Sequence, residues 1–178
     1  MSGTHVALVR GINVGKAKRV AMADLRALVE GLGYADVRTV LNSGNLVFSV
    51  PRGARGDPAR RIEEALARAT GVSARVGVLT AAELAAVVDE NPLAAVADNP
   101  SRLLVTVPHA AEDMARLRPL AGEDWAPEAL ELGTRAAYLR CPDGVLASRL
   151  FPAVERELRD RATSRNWATL TKLHALLA

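Results

Sequence analysis

Three observations predict an α+β protein from this 178-residue chain. Short apolar runs bounded by glycine or proline alternate with segments whose apolar residues recur every three or four positions. In the first half these fall in the order β-α-β-β-α-β, the ferredoxin-like (α-β plait) alternation. The second half gives β-α-β-β-α and then a C-terminal helix. The expected organisation is two ferredoxin-like subdomains: 1–91 with a trailing helix, a linker over 92–101, and 102–178 with the terminal helix.

Val6 to Val9 is an apolar run closed by Arg10-Gly11, as in a buried strand. A polar loop reaches Arg19. Met22, Leu25, Leu28, Val29 and Leu32 then mark one helix face, and Gly33 suits a left-handed C-terminal cap. Val37–Leu41 and Leu46–Val50 read as strands joined by the turn Asn42-Ser43-Gly44-Asn45. Asp57-Pro58 opens a helix with a cap residue and a first-turn proline, and Gly71 stops it. Residues 74–79 make the fourth strand. Thr80 and Glu83 form a capping box for a trailing helix that ends at Asn91-Pro92.

Beyond the Asn-Pro-containing segment 92–101, Leu103–Val107 is a strand and 111–120 a short helix. Residues 129–132 and 135–140 read as a hairpin turning at Gly133-Thr134. Leu146, Leu150, Val154 and Leu158 predict a helix. Thr163 or Ser164 is the expected cap of a last one, with Trp167, Leu170, Leu173, Leu176 and Leu177 along its face.

The bulk properties set chemistries aside. One cysteine, Cys141, rules out an internal disulfide framework and fits a reducing cytoplasm. No apolar stretch reaches the roughly 20 residues of a membrane helix, and the N-terminus does not read as a signal peptide. His5, His109 and His174 are dispersed, so no metal site and no serine triad is expected, and no cofactor motif is present. Gly11-Ile12-Asn13-Val14-Gly15-Lys16 falls short of a phosphate loop: three residues separate the glycines where four are needed, and Ala17 stands where a magnesium-binding hydroxyl belongs.

Charge is segregated along the chain. Residues 1–61 carry ten Lys/Arg against four Asp/Glu, 62–148 seven against thirteen, and 149–178 six against three. Such ends can hold an anionic partner or simply rest against the acidic middle. In the plait the ends of strands one and two and the start of strand three share one sheet edge. That edge collects Arg10, Asn13, Lys16, Lys18, Arg19, Asn42, Ser43 and Asn45, a composition suited to an anion. The first turn of the helix near Met22 adds the positive end of its dipole.

Several stretches together resemble a bacterial family known as domain of unknown function 1697. They are Arg10 to Gly15, Met22-Ala23-Asp24-Leu25-Arg26, Val37-Arg38-Thr39, Asn42 to Phe48 and Thr163 to Leu173. The resemblance spans nearly the whole chain. It implies two ferredoxin-like subdomains and supplies no activity. It also draws attention to Arg165, Asn166, Trp167 and Lys172, and suggests a last helix docked on the first subdomain with Arg165 and Asn166 closing the site. Ala168 departs from the asparagine often found there.

The functional expectation is a cytoplasmic anion- or phosphate-binding module. Its ligand-binding residues are Arg10, Asn13, Lys16, Asn42, Ser43, Asn45, Arg165 and Asn166, and its partner is a phosphorylated small molecule or a nucleic-acid phosphate backbone. One alternative is an enzyme of unknown reaction in which Asn13, Ser43 and Asn45 orient a substrate. Another is a structural protein that forms homodimers through strand edges.

Overall fold

The computed structural model describes residues 3–16 and 18–177. The chain divides into two compact units, residues 1–84 with 176–178, and residues 85–175. Each holds a four-stranded antiparallel sheet.

The first unit runs β1 (Gly3–Val9), α1 (Met22–Gly31), β2 (Ala35–Val40), β3 (Asn45–Val50), α2 (Pro58–Thr70) and β4 (Val76–Thr80). Its strand order is β2-β3-β1-β4. Ala7, Val9, Val37, Leu46, Phe48 and Val76 of the sheet form one core with Leu25 and Val29 of α1 and Ile62 and Leu66 of α2. Fully burying each leucine or isoleucine here contributes about 1.5–3 kcal/mol. The expected start and stop signals operate. Asp57 accepts hydrogen bonds from the N–H groups of Ala59 and Arg60, with Pro58 in the first turn, and Gly71 closes α2 at φ +70°. Gly33, at φ +85°, donates to the Glu30 carbonyl past the end of α1.

α3 (Ala81–Asp89) follows β4 directly, and the division between the units falls within it. The Thr80 hydroxyl accepts from Glu83 N–H while the Glu83 carboxylate accepts from Thr80 N–H, the reciprocal capping box. Residues 92–101 contain a 3-10 turn at 94–96 and the start of another at 100–102, the latter capped by Asn99.

The second unit contains β5 (Leu103–Pro108), a 3-10 stretch (Ala111–Leu117), α4 (Arg118–Ala121), β6 (Ala129–Leu132), β7 (Ala137–Arg140), α5 (Leu150–Leu158), β8 (Ala162–Asn166) and α6 (Trp167–Ala175). The sheet order β6-β7-β5-β8 repeats that of the first unit. Leu104, Ala137, Leu139 and Ala162 pack with Leu117, Leu120, Leu150, Val154 and Leu158. α6 lies against β5 and β8 of its own unit, with Leu170 and Leu173 fully buried.

Four local expectations are corrected. Residues 162–166 are a fourth strand paired with β5, not a loop with Thr163 or Ser164 as cap; Asn166 is the capping residue, its Oδ1 accepting from Thr169 N–H. The hairpin between β6 and β7 turns at Thr134-Arg135, because Gly133 N–H bonds the Ala136 carbonyl and extends the ladder by one pair. Leu146 is fully exposed in a 3-10 turn, and α5 begins only at Leu150. Trp167 is half-buried and Leu176 lies beyond the end of α6, so the buried stripe of that helix is Thr169, Leu170 and Leu173.

Candidate functional site

β4 starts where β1 ends: Val9 pairs with Val76, and Arg10 N–H bonds the Arg75 carbonyl at 2.8 Å. The loop after β1, the turn before β3 and the turn between α2 and β4 therefore meet at one edge of the first unit. The third of these was missed in the sequence, although the plait order places the start of a fourth strand beside the end of the first.

Asn13 joins the first two. Its Nδ2 donates to the carbonyls of Val20 and Asn42, each at 2.8 Å, and its Oδ1 accepts from Val20 N–H. Asn13 has φ +55°, a region that asparagine tolerates better than most residues. Gly44 completes the junction. At φ +84° its carbonyl accepts from Val9 N–H, and a Cβ there would stand 2.8 Å from Ile12 Cδ1 and 2.9 Å from Val9 Cβ. Ile12, 1% exposed, thus fills the space a side chain at 44 would need.

The remaining polar residues divide by role. Asn45 is fully buried, and its Nδ2 donates to the Val40 carbonyl and to Ser43 Oγ. These bonds hold the β2–β3 turn. Asn42, Lys16, Lys18 and Arg19 are exposed, and Arg10 is half-buried. Arg19 donates to the carbonyls of Asn13 and Gly15, and Lys18 to that of Gly71. Carbonyl partners fix the positions of these two cations without cancelling their charge.

The charge of this edge is one-sided. By their places in the elements this edge carries Arg10, Lys16, Lys18, Arg19, Arg68 at the end of α2, and Arg75, with the two carboxylates Asp24 and Glu63. Glu63 is already engaged, accepting from Val76 N–H at 2.8 Å and lying 3.7 Å from Arg75 Nε. The opposite edge carries Arg52, Arg55 and Arg61 together with Asp36, Asp57 and Glu83.

Arg165 and Asn166 belong to the other unit. Arg165 Nη1 donates to the Ser164 carbonyl, and Asn166 caps α6. A second polar cluster in that unit was not foreseen. Ser148 Oγ donates to the Glu128 carboxylate, accepts from Phe151 N–H and receives the Cys141 thiol at 3.6 Å. Glu128 also accepts from the N–H groups of Arg149 and Leu150. Burial pushes the Cys141 thiol pKa up, so this sulfur is a poor nucleophile. The cluster borders a cavity of about 170 Å³.

Among the described residues, no group of three or more His, Cys, Asp or Glu is placed to hold a metal ion, and no helix is long and apolar enough to cross a membrane.

Two four-stranded antiparallel sheets with helices, and a loop edge built on Arg10 to Lys16 and Asn42 to Asn45, define the class to which this chain is compared. It belongs to the family described as protein of unknown function DUF1697, which it matches over residues 2–138. A solved structure of similar fold is that of the conserved bacterial protein SP0830 from Streptococcus pneumoniae. The two share 21% identity at a TM-score of 0.81, with all of both chains covered. No curated protein matches the chain.

Proposed function

We propose that the protein is a cytoplasmic anion-binding module whose site is the loop edge of the first unit. The carrying observation is the one-sided cluster of Arg10, Lys16, Lys18, Arg19, Arg68 and Arg75 against Asp24 and Glu63. We read both units as ferredoxin-like plaits, a reading supported by the strand order β2-β3-β1-β4 and its repeat β6-β7-β5-β8.

In this reading Asn13, Ser43 and Asn45 are scaffold. Their amides and hydroxyl shape the loops, while the cations and the exposed Asn42 face the partner. The enzyme alternative depended on those three side chains; Asn13 bonds across the two loops, and Ser43 and Asn45 bond within the β2–β3 turn. Arg165 and Asn166 were also expected at the site; their bonds lie in β8 and at the start of α6, and the proposed edge is built without them.

The test is binding of a labelled oligothymidine, a simple phosphate polyanion, followed by anisotropy. Lys16→Glu/Lys18→Glu is expected to weaken binding at least tenfold. Arg52→Glu/Arg55→Glu carries the same charge change at the opposite edge and is expected to matter far less. Equal losses in the two variants would reject the edge as the site.

A further inference from the structure

The same edge displays two large apolar side chains that a purely ionic surface has no use for. Five such side chains are exposed among the described residues, and Val14 (62%) and Leu41 (50%) both lie here. They are the chain neighbours of Asn13 and Asn42, whose 2.8 Å bond keeps the two loop tips side by side. Leu41 also sits at φ +60°, where glycine or asparagine is the economical choice. Neither burial nor turn chemistry accounts for a leucine at this position.

We propose that the edge docks an acidic protein segment bearing apolar side chains. Val14 and Leu41 take the apolar side chains, and Lys16, Lys18 and Arg19 take the flanking carboxylates. An apolar centre rimmed by charge is the usual anatomy of a protein interface. The proposal rests on the anion reading above and names its partner. Nucleic acid fits this patch less well. Single strands are held by stacking bases on aromatic rings, and the aromatics of the first unit, Tyr34 and Phe48, are 4% and 0% exposed. A free phosphate compound offers nothing for the two aliphatic side chains to cover.

The experiment compares two labelled oligoglutamates of equal charge, one with a pair of central leucines and its twin with serines. Each is titrated with the full chain and with Leu41→Gly/Val14→Ser and Lys16→Glu/Lys18→Glu. Glycine suits the backbone at 41, so the apolar variant keeps its fold. The leucine peptide is expected to bind wild type roughly tenfold more tightly or better, the scale of burying one leucine. Leu41→Gly/Val14→Ser closes that gap and leaves the serine peptide unchanged, while the charge reversal weakens both. Equal affinities for wild type, or a gap that survives in the apolar variant, overturn the proposal while leaving the anion reading intact. An oligothymidine that loses as much affinity in the apolar variant as the leucine peptide does overturns it in favour of nucleic acid. If neither peptide nor oligothymidine binds, the anion reading fails with it.

Discussion

Asn13 Nδ2 bonds the Asn42 carbonyl at 2.8 Å across 29 positions of sequence. With its two bonds to Val20, this side chain fixes the loop after β1 against the turn before β3. Asn13→Ala removes all three bonds and leaves a Cβ-bearing residue at positive φ. The expected loss is about 2–4 kcal/mol, read as a lower urea midpoint at unchanged slope. Asn13→Gly relieves the backbone and is expected to lose less.

Gly44 and Gly53 form a matched pair, at φ +84° and +88°. Nothing lies within 4 Å of a Cβ at 53, whereas a Cβ at 44 meets Ile12 and Val9. Gly53→Ala is expected to cost about 1 kcal/mol for the backbone alone, and Gly44→Ala about 2–4 kcal/mol with overpacking added. Thermal unfolding of the two variants checks the difference.

Much of the first unit was legible because the signals were local. Asp57-Pro58, Gly71, Thr80 with Glu83, and Asn42 to Asn45 each name a cap or turn by residue type. The meeting of the loops followed from element order. What was hidden depended on partners distant in sequence. β8 has the polar run Thr163 to Asn166 and is a strand because β5 offers its free edge. Ser148 and Glu128 are ordinary surface residues until folding brings them together across 20 positions. Leu146 has helical spacing but lies ahead of the Ser148 and Glu128 groups that start α5. The bonding partners of Asn13 and Asn45 were equally hidden, since an amide facing a ligand and one facing a carbonyl look alike in sequence.

The start of α5 gives a third prediction. Ser148→Ala removes the acceptor for Phe151 N–H and leaves Glu128 one donor short. The expected cost is about 1–2 kcal/mol. Cys141, with its pKa raised by burial, is expected to react with a disulfide reagent mainly through unfolding, so Ser148→Ala speeds its labelling. Labelling that is fast and unchanged in the variant would place the thiol at the surface.

Tyr138 predicts the alkaline limit of stability. Its buried hydroxyl donates to the Val87 carbonyl at 2.6 Å, and burial, with Glu90 nearby, raises its pKa above the ordinary 10.0. An acid whose pKa is higher in the folded state stabilises the fold fully below the unfolded value. That contribution is lost as pH rises above about 10. Tyr138→Phe is expected to be less stable at neutral pH and to show a shallower decline above pH 10, measured by urea unfolding across that range.

The central claim is that the cations gathered at the end of β1 act together on an anionic partner. Its most direct measurement is the salt dependence of oligothymidine binding. With three to five phosphates neutralised, log K should fall against log salt with a slope of about −2 to −3.5. In Lys16→Glu/Lys18→Glu that slope is expected to shrink by at least one, and in Arg52→Glu/Arg55→Glu to stay close to wild type. A wild-type slope near zero, or one that the first variant leaves unchanged, would contradict the account.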